Sequence, residues 1–259
     1  MDRVTAAWLK IHSDHPEIYF VNSPQSIQRL RHRDFFKVLK NYCLKEKEMK
    51  ILEAGCGSGR DSLLLSSLGF DCTAVDISNS PLRKLEAAAK SFQKKFPEKK
   101  LALHPVQADI FSLPFEDNAF NLVFNSGVLE HFNSDMRVNL LKELARVTSD
   151  SGYVCIVTPN KNHALGRWWD FLIAKFSDFN KYEIPEQKLN DFMEHEMKFA
   201  GLVLEKADWI DSYDTLSHFP TWKFLQMASY LCTLILPRPP LFIRKKFGTR
   251  VMFIGRKKQ

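Results

Sequence analysis

The stretch Ile51-Leu-Glu-Ala-Gly-Cys-Gly-Ser-Gly-Arg60, followed downstream by Ala74-Val-Asp76, decides the fold. Ile51 to Ala54 is a short apolar run of the kind that fills a buried strand, and it enters a turn carrying Gly55, Gly57 and Gly59. Glycine permits the sharp turn and lets a ligand approach the main chain without a Cβ in the way. A helix is expected to begin near Asp61, with Leu63, Leu64, Leu65 and Leu68 on its apolar side. A second strand, Asp71 to Val75, delivers Asp76 to its carboxyl end, where a carboxylate can accept both hydroxyls of a ribose. Strand, glycine turn, helix, strand and acid in that order build a nucleotide-type site at the switch point of an open α/β sheet.

The spacing then narrows the ligand. A dinucleotide fingerprint reads G-x-G-x-x-G/A and seats a pyrophosphate on the helix N-terminus. Here the glycines read G-x-G-x-G, and Asp61 follows where the fingerprint wants Gly or Ala. An acid in the first helical turn suits the helix dipole and repels a pyrophosphate. The pattern resembles the E/D-x-G-x-G-x-G signature of the class I S-adenosylmethionine (SAM)-dependent methyltransferases, whose ligand carries no phosphate. The runs from Gly57 to Leu65 and from Val75 to Ser78 are similar to the small-molecule branch of that superfamily.

Composition bounds the rest. With 259 residues and 45% hydrophobic content, the chain can bury a full core and suits one α/β domain with insertions. Cys43, Cys56, Cys72, Cys155 and Cys232 form no C-x-x-C pair, so neither a zinc site nor a disulfide framework is indicated and a reducing, cytoplasmic setting is expected. The first ten residues have no sustained apolar core and do not resemble a signal peptide. The net charge of +7 is unevenly placed: Arg238, Arg244, Lys245, Lys246, Arg250, Arg256, Lys257 and Lys258 crowd the C-terminus with no acid among them. Lys94, Lys95, Lys99 and Lys100 form a smaller cluster, read as a solvated helix end.

Along the chain, strands and helices alternate. A helix is expected over Ser26 to Leu44, a helix over Leu85 to Phe96 and a strand over Leu101 to Ala108. A strand over Asn121 to Asn125 precedes an amphipathic helix over Met136 to Val147, and Gly152 ends the turn before a fifth strand, Tyr153 to Thr158. Such alternation implies right-handed crossovers and a doubly wound, mostly parallel sheet of the Rossmann-like methyltransferase type. Residues 160–184 are rich in aromatics, Gln187 to Ala200 reads as a helix capped by Gly201, and Leu202 to Ile210 and Arg250 to Gly255 read as strands six and seven. In the resembled family those last two strands are joined by a short connection; here residues 211–249 intervene, beyond the usual ~2–5 of a hairpin loop. The division expected is residues 1–48 as an N-terminal segment with a lid helix, and residues 49–259 as a methyltransferase domain. Insertions at 160–186 and 211–249 would form a hydrophobic helical cap.

The resemblance assigns roles. Gly55, Gly57 and Gly59 match the first loop, with Cys56 as a small filler within it. Glu53 matches an acid acting on the methionine ammonium, or is a buried acid bonded to backbone amides. Asp76 matches the ribose acid, or caps the next helix; Asp109 matches the acceptor of the adenine amine, or caps a turn. Ile77 and Ile110 would cover adenine faces, and Asn125 and Ser126 would present carbonyls to the ammonium. His131, in Val128-Leu-Glu-His-Phe132, resembles a segment of quinone-pathway methyltransferases and is the candidate general base, or a structural histidine. Gly127 replaces the first acid of the E-x-x-E-H metal motif, so no metal site is expected.

Negative evidence shapes the acceptor. Strand four ends in Asn125-Ser-Gly-Val128, without the N/D-P-P-Y/W of amino methylation on adenine or glutamine. No Pro-Cys or Thr-Cys stands where pyrimidine methylation would form its covalent adduct. The expected activity is methyl transfer to a small apolar or lipid-like acceptor, at oxygen by preference. An RNA methyltransferase, suggested by pI ≈ 9.1, and a non-catalytic SAM-binding protein are the alternatives. Phe224 to Leu236 is apolar nearly all round yet too short to span a bilayer, which needs ~20 residues. With the basic stretch after it, that segment packs as a cap, walls a greasy pocket or lies on an anionic membrane surface.

Overall fold

The computed structural model describes residues 3–14, 33–44, 48–160, 192–212 and 238–257, together with Pro24, Ile27, Asn162, Leu231, Cys232, Ile235 and Leu236. Among these residues a seven-stranded sheet runs in the order β3-β2-β1-β4-β5-β7-β6. Its strands are β1 (Lys50–Ala54), β2 (Asp71–Asp76), β3 (Ala102–Gln107), β4 (Phe120–Ser126), β5 (Thr148–Pro159), β6 (Leu202–Ile210) and β7 (Arg250–Lys257). The first five are parallel to their neighbours, whereas β7 inserts antiparallel between β5 and β6. The order turns back at β1, which pairs with both β2 and β4, and there the glycine loop emerges.

Strand alternation sends successive side chains to opposite faces. On one face Leu52, Ala54, Val123, Val154, Ile156 and Phe253 are buried against Leu140, Leu141 and Leu144 of α5 (Ser134–Val147) and Met193 and Met197 of α6 (Met193–Phe199). On the other, Ile51, Leu122, Phe124, Cys155, Met252 and Ile254 meet Phe35, Val38 and Leu39 of α2 (Asp34–Tyr42). Leu63 and Leu64 of α3 (Arg60–Ser67) and Leu82, Leu85 and Phe92 of α4 (Asn79–Lys95) complete that second layer. A further helix, α1 (Arg3–Asp14), precedes them, and α7 (Leu241–Phe247) lies just before β7.

Boundaries moved for local reasons. Helix α4 starts earlier than Leu85 because Ser78 caps it, its hydroxyl accepting the Ser80 N–H at 3.4 Å. Strand β5 begins at Thr148, and Gly152 lies within it. Phe120 pairs with Thr148 and Leu122 with Tyr153, so β5 carries the extra residues in a bulge. Gly201 does close α6, with φ 78° and its N–H on the Lys198 carbonyl at 3.1 Å. Most of the expected helix over residues 224–236, the start of the Gln187 helix and nearly all of the 160–186 insertion lie outside the described residues.

The basic C-terminus is partly structural. Asp208 and Asp211, both buried at the end of the β6 region, are met by arginines: Arg238 and Arg244 pair with Asp208, and Arg250 and Arg33 with Asp211. Arg238 also reaches Asp34 of α2 at 3.4 Å. Arg256 pairs with Glu205 at 3.1 Å and Lys257 with Asp150 at 3.2 Å. Five of the eight C-terminal cations are therefore spent holding strand ends and α7 to the sheet.

Candidate active site

The loop after β1 is built by its neighbours. The N–H groups of Gly55 and Cys56 both point at the Val75 carbonyl, at 2.9 and 2.8 Å, which ties the loop to the end of β2. Gly55 has φ 74°, and a Cβ there would stand 2.8 Å from Val128 Cγ2; only glycine lets the β4 loop come so close. Gly59 has φ 58° and caps α3, and a Cβ would overlap Leu85 of α4.

These turns open a cavity of about 370 Å³ at the carboxyl ends of β1, β2 and β4. Glu53, Gly55, Cys56, Gly57, Asp76, Ile77, Asp109, Ile110 and Ser126 all line it, as the sequence led us to expect. Gly59 and Asn125 do not, and both act one layer back. Asn125 is fully buried and donates from Nδ2 to the Ala54 carbonyl at 2.7 Å, clamping β4 to β1 beneath the loop; its Oδ1 has no partner.

The turn-capping alternative weighed for Asp109 is present, whereas the helix after Asp76 is capped by Ser78. Asp76 is buried and divides its carboxylate, Oδ2 accepting the Gly57 N–H and Oδ1 the Ser78 N–H, each at 2.9 Å. The acid that shapes the loop also lines the cavity. Asp109 is exposed on the rim and caps its own turn, Oδ1 accepting the Phe111 N–H at 2.9 Å.

Glu53 is buried and accepts from the Ser62 backbone N–H at 3.1 Å and the Ser62 hydroxyl at 2.5 Å, both on Oε2. Burial, reinforced by the charge of nearby Asp61, pushes its pKa up to about 8 against the two Ser62 bonds. The Cys56 thiol is likewise pushed far up by burial, with Glu53 and Asp76 adding to the shift, and is inert as a nucleophile near neutral pH.

Electrostatics give the cavity its character. Among the described residues, Glu53, Asp61, Asp76 and Asp109 face it with one cation, Arg60. A concentration of carboxyls repels a phosphate and favours a ligand carrying positive centres with a few hydroxyls and amines. The remaining wall is made by Thr5 and Trp8 of α1 with Val128 and Phe132 from the segment after β4. Arg137 fixes that segment, donating to the Phe132 carbonyl at 2.7 Å while paired with buried Glu196 of α6.

His131 stands elsewhere than on the wall. It lies in the single turn of 3-10 helix Leu129–His131, buried, with its ring edge-on to Trp8 at 5.5 Å between centroids. The candidate base is thus one aromatic ring removed from the cavity. Trp8, Thr5 and Arg60 were not singled out in the sequence. The signal for α1 was present: Val4, Trp8 and Ile11 recur at helical spacing, and Ile11 is buried while Val4 packs on the core.

Comparison with known proteins agrees with this geometry. Residues 52–156 match the family described as "Methyltransferase domain". A probable SAM-dependent methyltransferase of Mycobacterium tuberculosis is 29% identical over 51% of this chain and 42% of its own length. A chloroplastic tocopherol O-methyltransferase of Arabidopsis thaliana is 33% identical over 44% of this chain and 31% of its own. The chain spans about half, or less, of the length of the curated relatives it matches. A solved protein of Pyrococcus horikoshii covers 96% of this chain and 99% of its own with a TM-score of 0.60 at 19% identity, which shows the shared fold. Residues 52–156 thus match a methyltransferase domain, within a fold that the solved protein shares.

Proposed function

We propose that this chain is a class I SAM-dependent methyltransferase and transfers a methyl group from SAM to an oxygen of a small apolar or lipid-like acceptor. The observation that carries the reading is the cavity at the carboxyl ends of β1, β2 and β4, where a glycine loop closes on Asp76 and, among the described residues, four carboxyl side chains meet one arginine. The residues fit the cofactor. Asp76 is available to the ribose hydroxyls, and Ile77 and Ile110 to the two faces of the adenine. Asp109 suits its exocyclic amine. Glu53 and the Ser126 region suit the ammonium, and Arg60 is the cation available to the carboxylate. Asp61 and the narrow approach at Gly55 disfavour a pyrophosphate.

When bound, the sulfonium supplies an electrophilic methyl group, the chemistry that needs least from the protein. The chain's own work is placement. Trp8, Val128 and Phe132 make an apolar wall that excludes water from the face where an acceptor would stand, and alignment of two reactants is worth up to ~7–11 kcal/mol of barrier. Among the described lining residues there is no histidine, so proximity rather than wall-mounted base catalysis is the chain's main contribution. The similarity to a protein named for O-methylation of tocopherol, together with that wall, supports an apolar acceptor and oxygen as its nucleophile.

The test is direct. Purified protein should bind SAM and S-adenosylhomocysteine by calorimetry, and label from methyl-tritiated SAM should pass to members of a panel of phenols, quinols and fatty acids. Binding of NAD with none of SAM would end the reading. SAM binding with label passing only to RNA would overturn the acceptor class.

A further inference from the structure

Helix α7 is built inside out. None of its seven residues is buried, and its first two, Leu241 and Phe242, are exposed, Phe242 by 73% of its surface. On a helix, residues four apart share a face, so Leu241 lies beside Lys245 and Phe242 beside Lys246. Both lysines are exposed as well. The side turned to the protein is the polar one: Arg244 pairs with buried Asp208 and donates to the Pro239 carbonyl at 2.9 Å. A helix covering a core would do the reverse.

Apolar side chains that precede it in sequence are exposed as well. Ile235 is 74% exposed, and Leu231 and Leu236 are exposed in the same chain segment. The C-terminal part of the sequence offers no negative charge, since no Asp or Glu follows Asp214. Most of the arginines and lysines there are internally paired, but Lys245 and Lys246 keep their ammonium groups over the rings of Trp209 and Phe247. They remain at the surface and can extend from apolar neighbours toward anionic groups. The platform is rigidly held: Asn160, at the end of β5, donates from Nδ2 to the Lys245 and Gly248 carbonyls at 3.2 and 2.8 Å.

We propose that the exposed face of α7, with Leu231, Ile235 and Leu236, docks this protein on an anionic lipid bilayer. Apolar side chains enter the acyl boundary, and the two lysines meet the headgroups, the arrangement by which interfacial helices bind. Among the described residues no helix is long and apolar enough to cross a membrane, so the contact is peripheral. The inference stands independently of the methyl acceptor. It also refines the charge argument: Arg244 holds α7 in place, whereas Lys245 and Lys246 stay exposed.

Sedimentation of the full chain with vesicles tests it. Binding is expected to vesicles of phosphatidylcholine mixed with phosphatidylglycerol, to be weaker with phosphatidylcholine alone, and to fall as salt is raised from ~0.05 to ~0.5 M. Lys245→Gln with Lys246→Gln should lower partitioning on the order of tenfold or more, since each cation near an anionic surface contributes roughly fivefold. Leu241→Ser with Phe242→Ser should lower it at least about tenfold through lost apolar burial. An unchanged circular dichroism spectrum and melting temperature keep these variants interpretable. Equal binding to neutral and anionic vesicles, no binding to either, or binding to an RNA oligomer with none to vesicles would overturn the proposal.

Discussion

Replacing Asp76 separates ligand recognition from loop architecture. Its carboxylate accepts the Gly57 and Ser78 N–H groups on different oxygens, so alanine would leave two backbone donors unpaired in a buried place. Each unpaired buried donor costs about 1–3 kcal/mol, a serious fraction of a stability of ~5–15 kcal/mol, and the variant could fail to fold before binding was measured. Asparagine is the cleaner probe, because its single carbonyl oxygen can keep one of the two backbone bonds. Asp76→Asn is expected to cost about 1–3 kcal/mol of stability from the other. Toward a ligand it loses the charge and one accepting oxygen. With charge-assisted bonds to two ribose hydroxyls at stake, the loss should be about 2–3 kcal/mol, or roughly 30–150-fold in Kd. Urea denaturation measures the first quantity, and calorimetry with S-adenosylhomocysteine measures the second, well below the melting temperature. Stability reduced as stated with affinity unchanged within about threefold would refute the ribose role and leave Asp76 as a clamp on the glycine loop.

Three further expectations follow from the same geometry. Gly55→Ala should destabilise by about 1–2 kcal/mol for the left-handed backbone plus a further ~1–3 kcal/mol for the overlap with Val128. Val128→Ala in the same chain should recover only the overlap, and strict additivity in chemical denaturation would show that the two do not meet. Between Glu53's ordinary value near 4.5 and about 8, the folded protein holds a proton that the unfolded chain has lost, so its contribution lowers stability as pH rises across that window. A cationic ligand group beside Glu53 favours the ionised form, so binding below pH 8 should release a proton. Calorimetry in buffers of different ionisation enthalpy should detect that release in the wild type but not in Glu53→Gln. His131→Phe keeps an aromatic ring against Trp8 and should hold turnover within about threefold. A loss of ~10²-fold would instead make the imidazole the base.

The sheet and most of the cofactor cavity were legible because both are written locally. A strand buried on both faces reads as an apolar run, and a glycine turn followed by a helix and an acid-ended strand fixes its own register. Hence Gly55 and Asp76 could be named from spacing, and Glu53 and Asp109 from the family pattern the chain resembles, and all four line the cavity. What stayed hidden depends on contacts between distant parts of the chain. Trp8 reaches the cavity across more than forty residues of sequence, and its helical pattern says that α1 has an apolar side without saying what that side meets. His131 shows the same gap in reverse. Its motif placed it beside strand four, but only the packing of Trp8 against it removes it from the wall.

Charge was misread for a related reason, and the correction changes what the C-terminus is for. In sequence, the cations from Arg238 onward look like one basic tail because their acidic partners, Asp34, Asp150, Glu205, Asp208 and Asp211, lie in other segments. Folding pairs Arg238, Arg244 and Arg250 with aspartates that would be untenable without them, since an unpaired buried carboxylate costs several kcal/mol. That pairing frees the sequence from having to bury α7 through apolar contacts. An arginine–aspartate anchor holds the helix from its polar side, and its leucine and phenylalanine are left facing outward. The same Asp208 therefore serves the fold and, by fixing α7 in that orientation, creates the exposed apolar face. A salt-independent loss of α7's anchorage in Asp208→Asn, seen as faster amide exchange across residues 241–247 with the rest of the sheet unchanged, is the expected consequence of that coupling.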